Sequence, residues 1–178
     1  MAIVKWVLDP VHSEVTFKIK HLMISTVSGQ FNKYEVNAET EGEDFMTAKV
    51  SFSADVDSIS TKNEQRDGHL KSEDFFNAAK YPAITFTATK YENVDNDGSY
   101  ELYGDLRIRD VTKQIKLDVE YGGIVKDPWG NTKAGFTISG KINRKEFGLS
   151  WHAVTEAGGL VLSDDVRIHA EIELLKQA

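Results

Sequence analysis

The stretch Glu101-Leu102-Tyr103-Gly104-Asp105-Leu106-Arg107-Ile108-Arg109 decides the fold. Leu102, Leu106 and Ile108 are apolar and Gly104 holds its place in their row, whereas Glu101, Tyr103, Asp105, Arg107 and Arg109 are polar. Side chains alternate across a strand, so this stretch has one dry face and one wet face. The pattern recurs at Val15, Phe17 and Ile19, and at Val50, Phe52, Ala54 and Val56. It returns at Ile115, Leu117 and Val119, at Phe136, Ile138 and Ile142, and at Val166, Ile168, Ala170, Ile172 and Leu174. Many such strands, with few helices to cover them, must hide their dry faces against one another. That requires a closed barrel or a sandwich.

Strands are expected near 4–8, 13–21, 28–39, 46–57, 83–91, 99–109, 114–126, 133–144 and 165–176, with a short extra strand at 157–162. Asn96-Asp97-Gly98 links two of them as a hairpin turn should. Val111-Thr112-Lys113 reads as a tight connection, and Asp127-Pro128-Trp129-Gly130-Asn131 supplies both Pro and Gly for the next. Consecutive short links imply antiparallel, up-and-down neighbours. The one helix candidate spans about 61–76, where Thr61 and Glu64 fit a capping box and Leu70 packs toward the barrel. Gly68 inside it weakens the helix by up to ~1 kcal/mol and leaves its boundaries open to a bend or a late start.

At 178 residues, 40% hydrophobic and 28% charged, the chain reads as one ordinary globular domain over 1–178. A net charge of −7 and a pI near 5.2 argue against general nucleic-acid binding, which needs a basic surface to neutralise phosphates. The chain has no cysteine, which excludes disulfides, thiolate metal sites and a cysteine nucleophile. Its opening, Met-Ala-Ile-Val-Lys-Trp-Val-Leu-Asp-Pro, lacks the apolar core of about 7–15 residues that marks a signal peptide. No apolar run of about 18 residues occurs, so no membrane span is expected. As written the chain is expected in the cytoplasm, or in the periplasm if a leader has been removed.

Of the five histidines, no pair has the spacing that would build a metal site on one element. His21 continues the parity of Phe17 and Ile19 and points inward near a strand end, while His169 faces solvent. A Gly-x-Ser-x-Gly elbow and a phosphate-binding glycine loop are both missing from the sequence. No catalytic or metal-ligating residue is therefore assigned, and binding is the stronger class of function. Phe75, Phe76, Phe86, Phe147 and Trp151 lie near the helix candidate or irregular segments, where they either close the barrel end or form a pocket mouth. Arg66, His69 and Arg144 are candidate donors for a polar head group, arginine because its planar fork suits two oxygens. The inward small residues Ala54, Ala88, Gly104, Ala134, Gly140 and Ala170 admit two readings. They interdigitate with large neighbours in a full core, or they leave space for an apolar ligand.

The opening Leu8-Asp9-Pro10-Val11-His12-Ser13-Glu14-Val15-Thr16-Phe17-Lys18-Ile19-Lys20-His21, followed by Gly29-Gln30-Phe31, resembles that of the YceI-like family. Arg66-Asp67-Gly68-His69-Leu70-Lys71-Ser72-Glu73-Asp74-Phe75-Phe76, then Tyr81-Pro82-Ala83-Ile84-Thr85-Phe86, is similar to its most distinctive motif. Gly104-Asp105-Leu106, Val111-Thr112-Lys113 and Ile142-Asn143-Arg144-Lys145-Glu146-Phe147-Gly148 follow in the family's order. The resemblance implies an all-β, antiparallel, lipocalin-like barrel of about eight main strands with one short helix and an elongated apolar channel. It implies non-enzymatic binding of a long isoprenoid or fatty-acid-type lipid, for transport, storage or protection, with no other cofactor and a tendency toward homodimers. The channel would be lined by Phe17, Ile19, Phe52, Phe86, Leu106, Phe136 and Ile138. Arg66, His69, Arg144 and His21, with the aromatic residues named above, would stand at its mouth. Two alternatives remain: an enzyme acting on such a lipid with His21 or His69 as general base, and a filled barrel that serves as a structural or interaction protein.

Overall fold

Antiparallel strands close on themselves in the computed structural model, which describes residues 2–95, 97–151 and 162–177. The strands are β1 (Ile3–Leu8), β2 (Glu14–His21), β3 (Ser25–Phe31), β4 (Tyr34–Glu41), β5 (Asp44–Asp55) and β6 (Ile59–Ser60). They continue as β7 (Ala83–Asn93), β8 (Ser99–Ile108), β9 (Val111–Lys126), β10 (Thr132–Asn143) and β11 (Leu162–Lys176), with helix α1 (Glu64–Lys71) between β6 and β7. The ring β1-β4-β5-β7-β8-β9-β10-β11 returns to β1, giving a closed eight-strand barrel; β2, β3 and β6 extend it at one end.

Closure depends on β11. One edge pairs with β10. The other pairs with β1, where Leu174 faces Leu8, and with β2, where Ile168 faces Phe17. β1 and β2 thus form one bent strand, broken by the 3-10 turn Pro10–His12. Proline has no N–H for a ladder, so the break falls there. The strand expected over 28–39 is likewise two, β3 and β4, broken at Asn32-Lys33. The buried positions shift from odd to even across the break, from Gly29 to Val36, Ala38 and Thr40.

Other boundaries differ from the sequence reading. The tight β8–β9 link is Arg109-Asp110, and Val111, Thr112 and Lys113 already belong to β9. The helix is shorter than 61–76, and its cap is Asn63, whose Oδ1 accepts from Arg66 N at 2.9 Å. Thr61 instead donates from N and Oγ1 to Asp67 Oδ1, at 2.8 and 2.6 Å. α1 starts at Glu64, later than 61, and runs through Gly68 as continuous helix. Asn96 and residues 157–161 lie outside the described residues, and Leu162 opens β11.

The lower end carries the β4–β5, β7–β8 and β9–β10 hairpins. It is plugged by aromatic rings: Trp6 to Phe45 at 4.8 Å, Phe45 to Phe136 at 4.9 Å and Tyr121 to Phe136 at 5.3 Å between centroids. Trp6 Nε1 donates to the buried Thr40 Oγ1 at 2.9 Å, which satisfies the indole inside the core. Beside this plug Lys133 Nζ sits 2.7 Å from Asp9 and 3.8 Å from Glu173, tying the β1–β2 bend to β10 and β11. The upper end holds the β2–β3 turn, α1, the β8–β9 link and residues 144–151. There β6 pairs with β3 but not with β7, so the wall parts beside α1.

The small inward residues divide between the two readings. A Cβ at Gly104 would meet the Phe86 ring and lie 2.6 Å from the Thr87 carbonyl oxygen. One at Gly140 would lie 2.5 Å from Leu117 Cδ2, and one at Gly29 would meet the Phe17 ring. These glycines are occupied by their neighbours' side chains. Gly68 is the opposite case: a Cβ there meets nothing within 4 Å. Gly104→Ala is therefore expected to destabilise the barrel by about 1–3 kcal/mol, because backbone must move. Gly68→Ala should stabilise it by about 0.4–1 kcal/mol through the unfolded chain. Urea titration of both variants checks the opposite signs.

Lys133, hydrogen-bonded to Asp9, holds the Asp9 carboxyl down from 3.8 to about 2; His12 adds to this and burial opposes it. A carboxyl with a depressed folded pKa stabilises the fold above its unfolded pKa and loses that contribution as pH falls through the folded value. Asp9→Asn is thus expected to lower the Tm by about 2–4 °C at pH 6, for ~1 kcal/mol after solvent screening. The gap should close between about pH 4 and pH 2. Thermal melts of both proteins across that range test it.

Candidate functional site

The inward faces do not fill the barrel. A cavity of about 460 Å³ remains. Protein interiors hold few voids larger than a water molecule, and small-molecule sites span about 300–1,000 Å³. Strand alternation builds its wall. β2 supplies Phe17 and Ile19, β5 Phe52, β7 Phe86, β8 Leu106, and β10 Phe136 and Ile138. Ala54 and Ala170 line it as well, whereas Ala88, Gly104, Ala134 and Gly140 do not. The hydroxyls of Tyr91 and Tyr100 lie among apolar neighbours. Burial pushes the Tyr91 pKa up to about 12 and raises that of Tyr100, so neither puts a charge on the wall near neutral pH. Tyr91 Oη donates to the Ala48 carbonyl at 2.8 Å.

Most of the polar lining groups gather at the upper end, contributed by different elements: His21 from β2, Thr61 and Arg66 around α1, His69 from α1, and Arg144 and Trp151 after β10. Arg66 is exposed and folds back on its own loop, donating from Nε to Thr61 Oγ1 and from Nη2 to the Thr61 carbonyl, each at 2.7 Å. The His69 Nε2 lies 2.9 Å from Asp74 Oδ2. Its ring meets Phe75 and Trp151 edge-on, with centroids 5.1 and 4.9 Å away. Phe76 extends this cluster through Phe31 to Phe17, at 6.4 and 5.8 Å.

Arg144 is only 2% exposed. It donates from Nε to Ser163 O at 2.9 Å, and from Nη1 to Leu149 O and Trp151 O, both at 2.6 Å. Burial lowers its pKa, with Asp164 opposing, yet a guanidinium keeps its proton at any ordinary pH. This arginine spends most of its donors pinning backbone at the rim. Its Nη2 is enclosed and has no hydrogen-bond partner among the described residues.

The structure brings the sequence-predicted residues together on one wall, with one exception. Phe147 is 1% exposed and packs in the core rather than lining the cavity. It ends the 3-10 turn Arg144–Phe147, which is closed by left-handed Gly148. Sequence reasoning missed Val27, Phe31, Phe45, Tyr91 and Tyr100, which also line it. Tyr91 follows a bulge at Thr89, where Ala88 pairs with Gly104 but Lys90 pairs with Tyr103, so its parity is reversed. A second cluster, Asp9, His12 and Glu173, has three potential metal ligands within reach of one another, but Lys133 already supplies its cation.

Comparison with known proteins agrees with this geometry. The UPF0312 protein SA2479 of Staphylococcus aureus (strain N315) is 40% identical over 167 residues, 93% of this chain and 94% of the relative. The Campylobacter jejuni YCEI protein superposes with a TM-score of 0.76 at 38% identity, covering 96% of this chain and 97% of that one. Burkholderia cenocepacia BcnA shares the fold with a TM-score of 0.80 at 18% identity, over 93% and 98% of the two chains. A polyisoprenoid binding domain from Saccharophagus degradans shares it with a TM-score of 0.66 at 15% identity, over 97% and 98%. The YceI-like domain matches residues 6–174, and with the barrel, the cavity and these relatives in place, this chain belongs to the YceI-like family.

Proposed function

We propose that this protein binds an isoprenoid or similar amphiphilic lipid, with the apolar chain in the barrel and the polar end beneath α1. It holds the lipid for transport, storage or protection and does not transform it. The observation that carries this reading is the distribution of polarity along the cavity: aliphatic and aromatic through its depth, polar at the α1 end. Burial of apolar surface is worth ~0.8 kcal/mol per CH₂, so one five-carbon isoprene unit contributes about 4 kcal/mol. Each further unit adds affinity as long as wall remains to cover it. The polyisoprenoid-binding domain of Saccharophagus degradans, which shares this fold, adds support for the ligand class.

Phe17, Ile19, Phe52, Phe86, Leu106, Phe136 and Ile138 serve as wall in this reading. His21, Arg66, His69, Phe75, Phe76 and Trp151 surround the head group, and Arg144 holds the rim that carries them. His21 and His69 are also the groups through which a catalytic reading would act, since both line the cavity.

Native mass spectrometry of the protein loaded from a lipid extract tests this. A stoichiometric adduct that is released with unchanged mass is expected. Phe86→Asp and Phe136→Asp place a carboxylate on the apolar wall and should each weaken loading at least about tenfold, or 1.4 kcal/mol. Ala170→Phe adds bulk without charge and should weaken long chains more than short ones. A lipid released chemically altered, with the change abolished by His69→Ala, would replace binding by catalysis. Full loading of all three folded variants would remove the ligand from the cavity.

A further inference from the structure

The β2–β3 turn is built against the usual chemistry of turns. Its tip is Leu22-Met23-Ile24, and Ile24 N donates back to the His21 carbonyl at 3.2 Å. Leu22 and Met23 have φ of 52° and 57°. Positive φ at both central positions is what a type I′ hairpin turn requires, and Asn-Gly is the usual solution. Here two large apolar residues take the left-handed conformation, which L side chains other than Asn and Asp rarely adopt. Burial covers much of Leu22 but less of the other two: Leu22 is 37%, Met23 60% and Ile24 82% exposed. Strained residues of this kind persist only where the surrounding structure holds them, and they cluster at functional sites.

The position of the turn supplies the rest. It follows His21, which lines the cavity, so the apolar tip stands at the rim of the upper end. Below it, the upper rows of the outer β10–β11–β2 face gather cations although the chain carries −7 overall. Lys18 on β2 lies opposite Arg167 on β11, and Arg167 lies opposite Lys141 on β10. Like charges directly opposite on adjacent strands repel. Lys18, Lys20 and Arg167 have no ion pair among the described residues to offset this. Among the described residues at the upper rows of this face, Lys18, Lys20, Lys141, Lys145 and Arg167 stand with Asp164, 3.2 Å from Lys145, and Asp165, 3.7 Å from Lys141; Glu14 and Glu171 lie lower on the same strands.

We propose that the Leu22-Met23-Ile24 tip inserts into an anionic lipid bilayer, while Lys18, Lys20, Lys141 and Arg167 meet the head groups, so that the upper end of the barrel exchanges its lipid with the membrane. The dimensions agree. At ~3.4 Å per residue, Lys20 lies about 7 Å and Lys18 about 14 Å behind Leu22. Interfacial segments bury their apolar faces about 5–10 Å deep, which brings Lys20 to the head groups and the cationic row within about a Debye length of them. The inference rests on the lipid-binding reading for its purpose and not for its physics, so the two are separable by experiment.

The test is sedimentation of the protein with vesicles of phosphatidylcholine alone or mixed with phosphatidylglycerol, alongside lipid loading in vesicle-free solution. Binding to the mixed vesicles is expected, weaker on neutral vesicles and falling with added salt. Met23→Asp/Ile24→Asp should reduce it at least about tenfold, as should Lys18→Glu/Arg167→Glu, while both load lipid in solution as the wild type does. Leu22→Asn/Met23→Gly should relieve the strained turn and raise the Tm by a few degrees while reducing vesicle binding. That opposition is not expected of a tip that serves the fold. Equal vesicle binding by wild type and the tip variants overturns the proposal, as does no vesicle binding by any of them. A wild-type dimer that the tip variants convert to monomer, without a change in vesicle binding, assigns the tip to a second copy of this chain instead. Failure of loading in solution, with vesicle binding intact, counts against the lipid-carrier reading and leaves the docking proposal standing.

Discussion

The pairing of β11 along one edge with two different strands is the constraint on which the rest of the structure depends. A strand of 15 residues outruns β1, which has only six. The edge that β1 leaves open must be paired or covered, because an open row of N–H and C=O groups would recruit another chain. The bend at Pro10–His12 solves this by turning the chain so that β2 continues where β1 stops. The solution makes the two ends unlike. Where β1 closes the ring, Trp6, Phe45, Tyr121 and Phe136 fit against one another and the core is full. Where β2, β3 and β6 extend it, β6 does not reach β7, and the space inside survives beneath α1.

Polar groups are handled differently at those two ends. At the full end Lys133, Asp9 and Glu173 form a compact ion network, and the buried indole of Trp6 is satisfied by Thr40. At the open end a buried cation lacks a carboxylate hydrogen-bonded to it among the described residues. Arg144 is held instead by three backbone carbonyls. A buried guanidinium without a carboxylate is costly unless its donors are used, and carbonyl oxygens use them without neutralising the charge. The rim above the cavity is thereby tied to Arg144 through its backbone carbonyls.

The fold was legible in the sequence because a closed barrel gives every strand the same two-sided environment. Period-two alternation then carries the architecture, and β8, β10 and β11 lie close to where their alternation places them. The misreadings fall where the period slips. Joining 28–39 into one strand ignored the change from odd inward positions up to Phe31 to even ones from Val36, and that change was itself the signal of the Asn32-Lys33 break. The bulge at Thr89 hid Tyr91 in the same way. Two residues that looked alike in the sequence, Gly104 and Ala170, differ in fact: the Phe86 ring occupies the space at one, and the other lines the cavity. Nothing in a single strand's pattern tells these apart, because the difference lies in the rotamer of a residue on the neighbouring strand. For the same reason Phe147 was misplaced, since a 3-10 turn obeys neither strand nor helix periodicity.

The backbone strain follows the same division of the molecule. Lower-end turns and the nearby β9 bulge take positive φ at glycines, Gly42, Gly98, Gly123 and Gly130, where it costs little. All five described non-glycine residues with positive φ, Leu22, Met23, Lys62, Asn77 and Arg109, lie at the upper end. Some of that strain has a visible structural partner: Arg109 Nη1 donates to the Phe75 carbonyl, and the Asn77 carbonyl accepts from Tyr81 N. At Leu22 and Met23 the turn's own hydrogen bond is Ile24 N donating to the His21 carbonyl, and Met23 is 60% exposed. The aromatic plug lies at the opposite end of the barrel from these residues, and the β10–β11 ladder runs the whole height between the two ends. The two ends therefore differ physically: aromatic packing and an ion network occupy the lower one, and the non-glycine positive-φ residues among the described residues gather at the upper one.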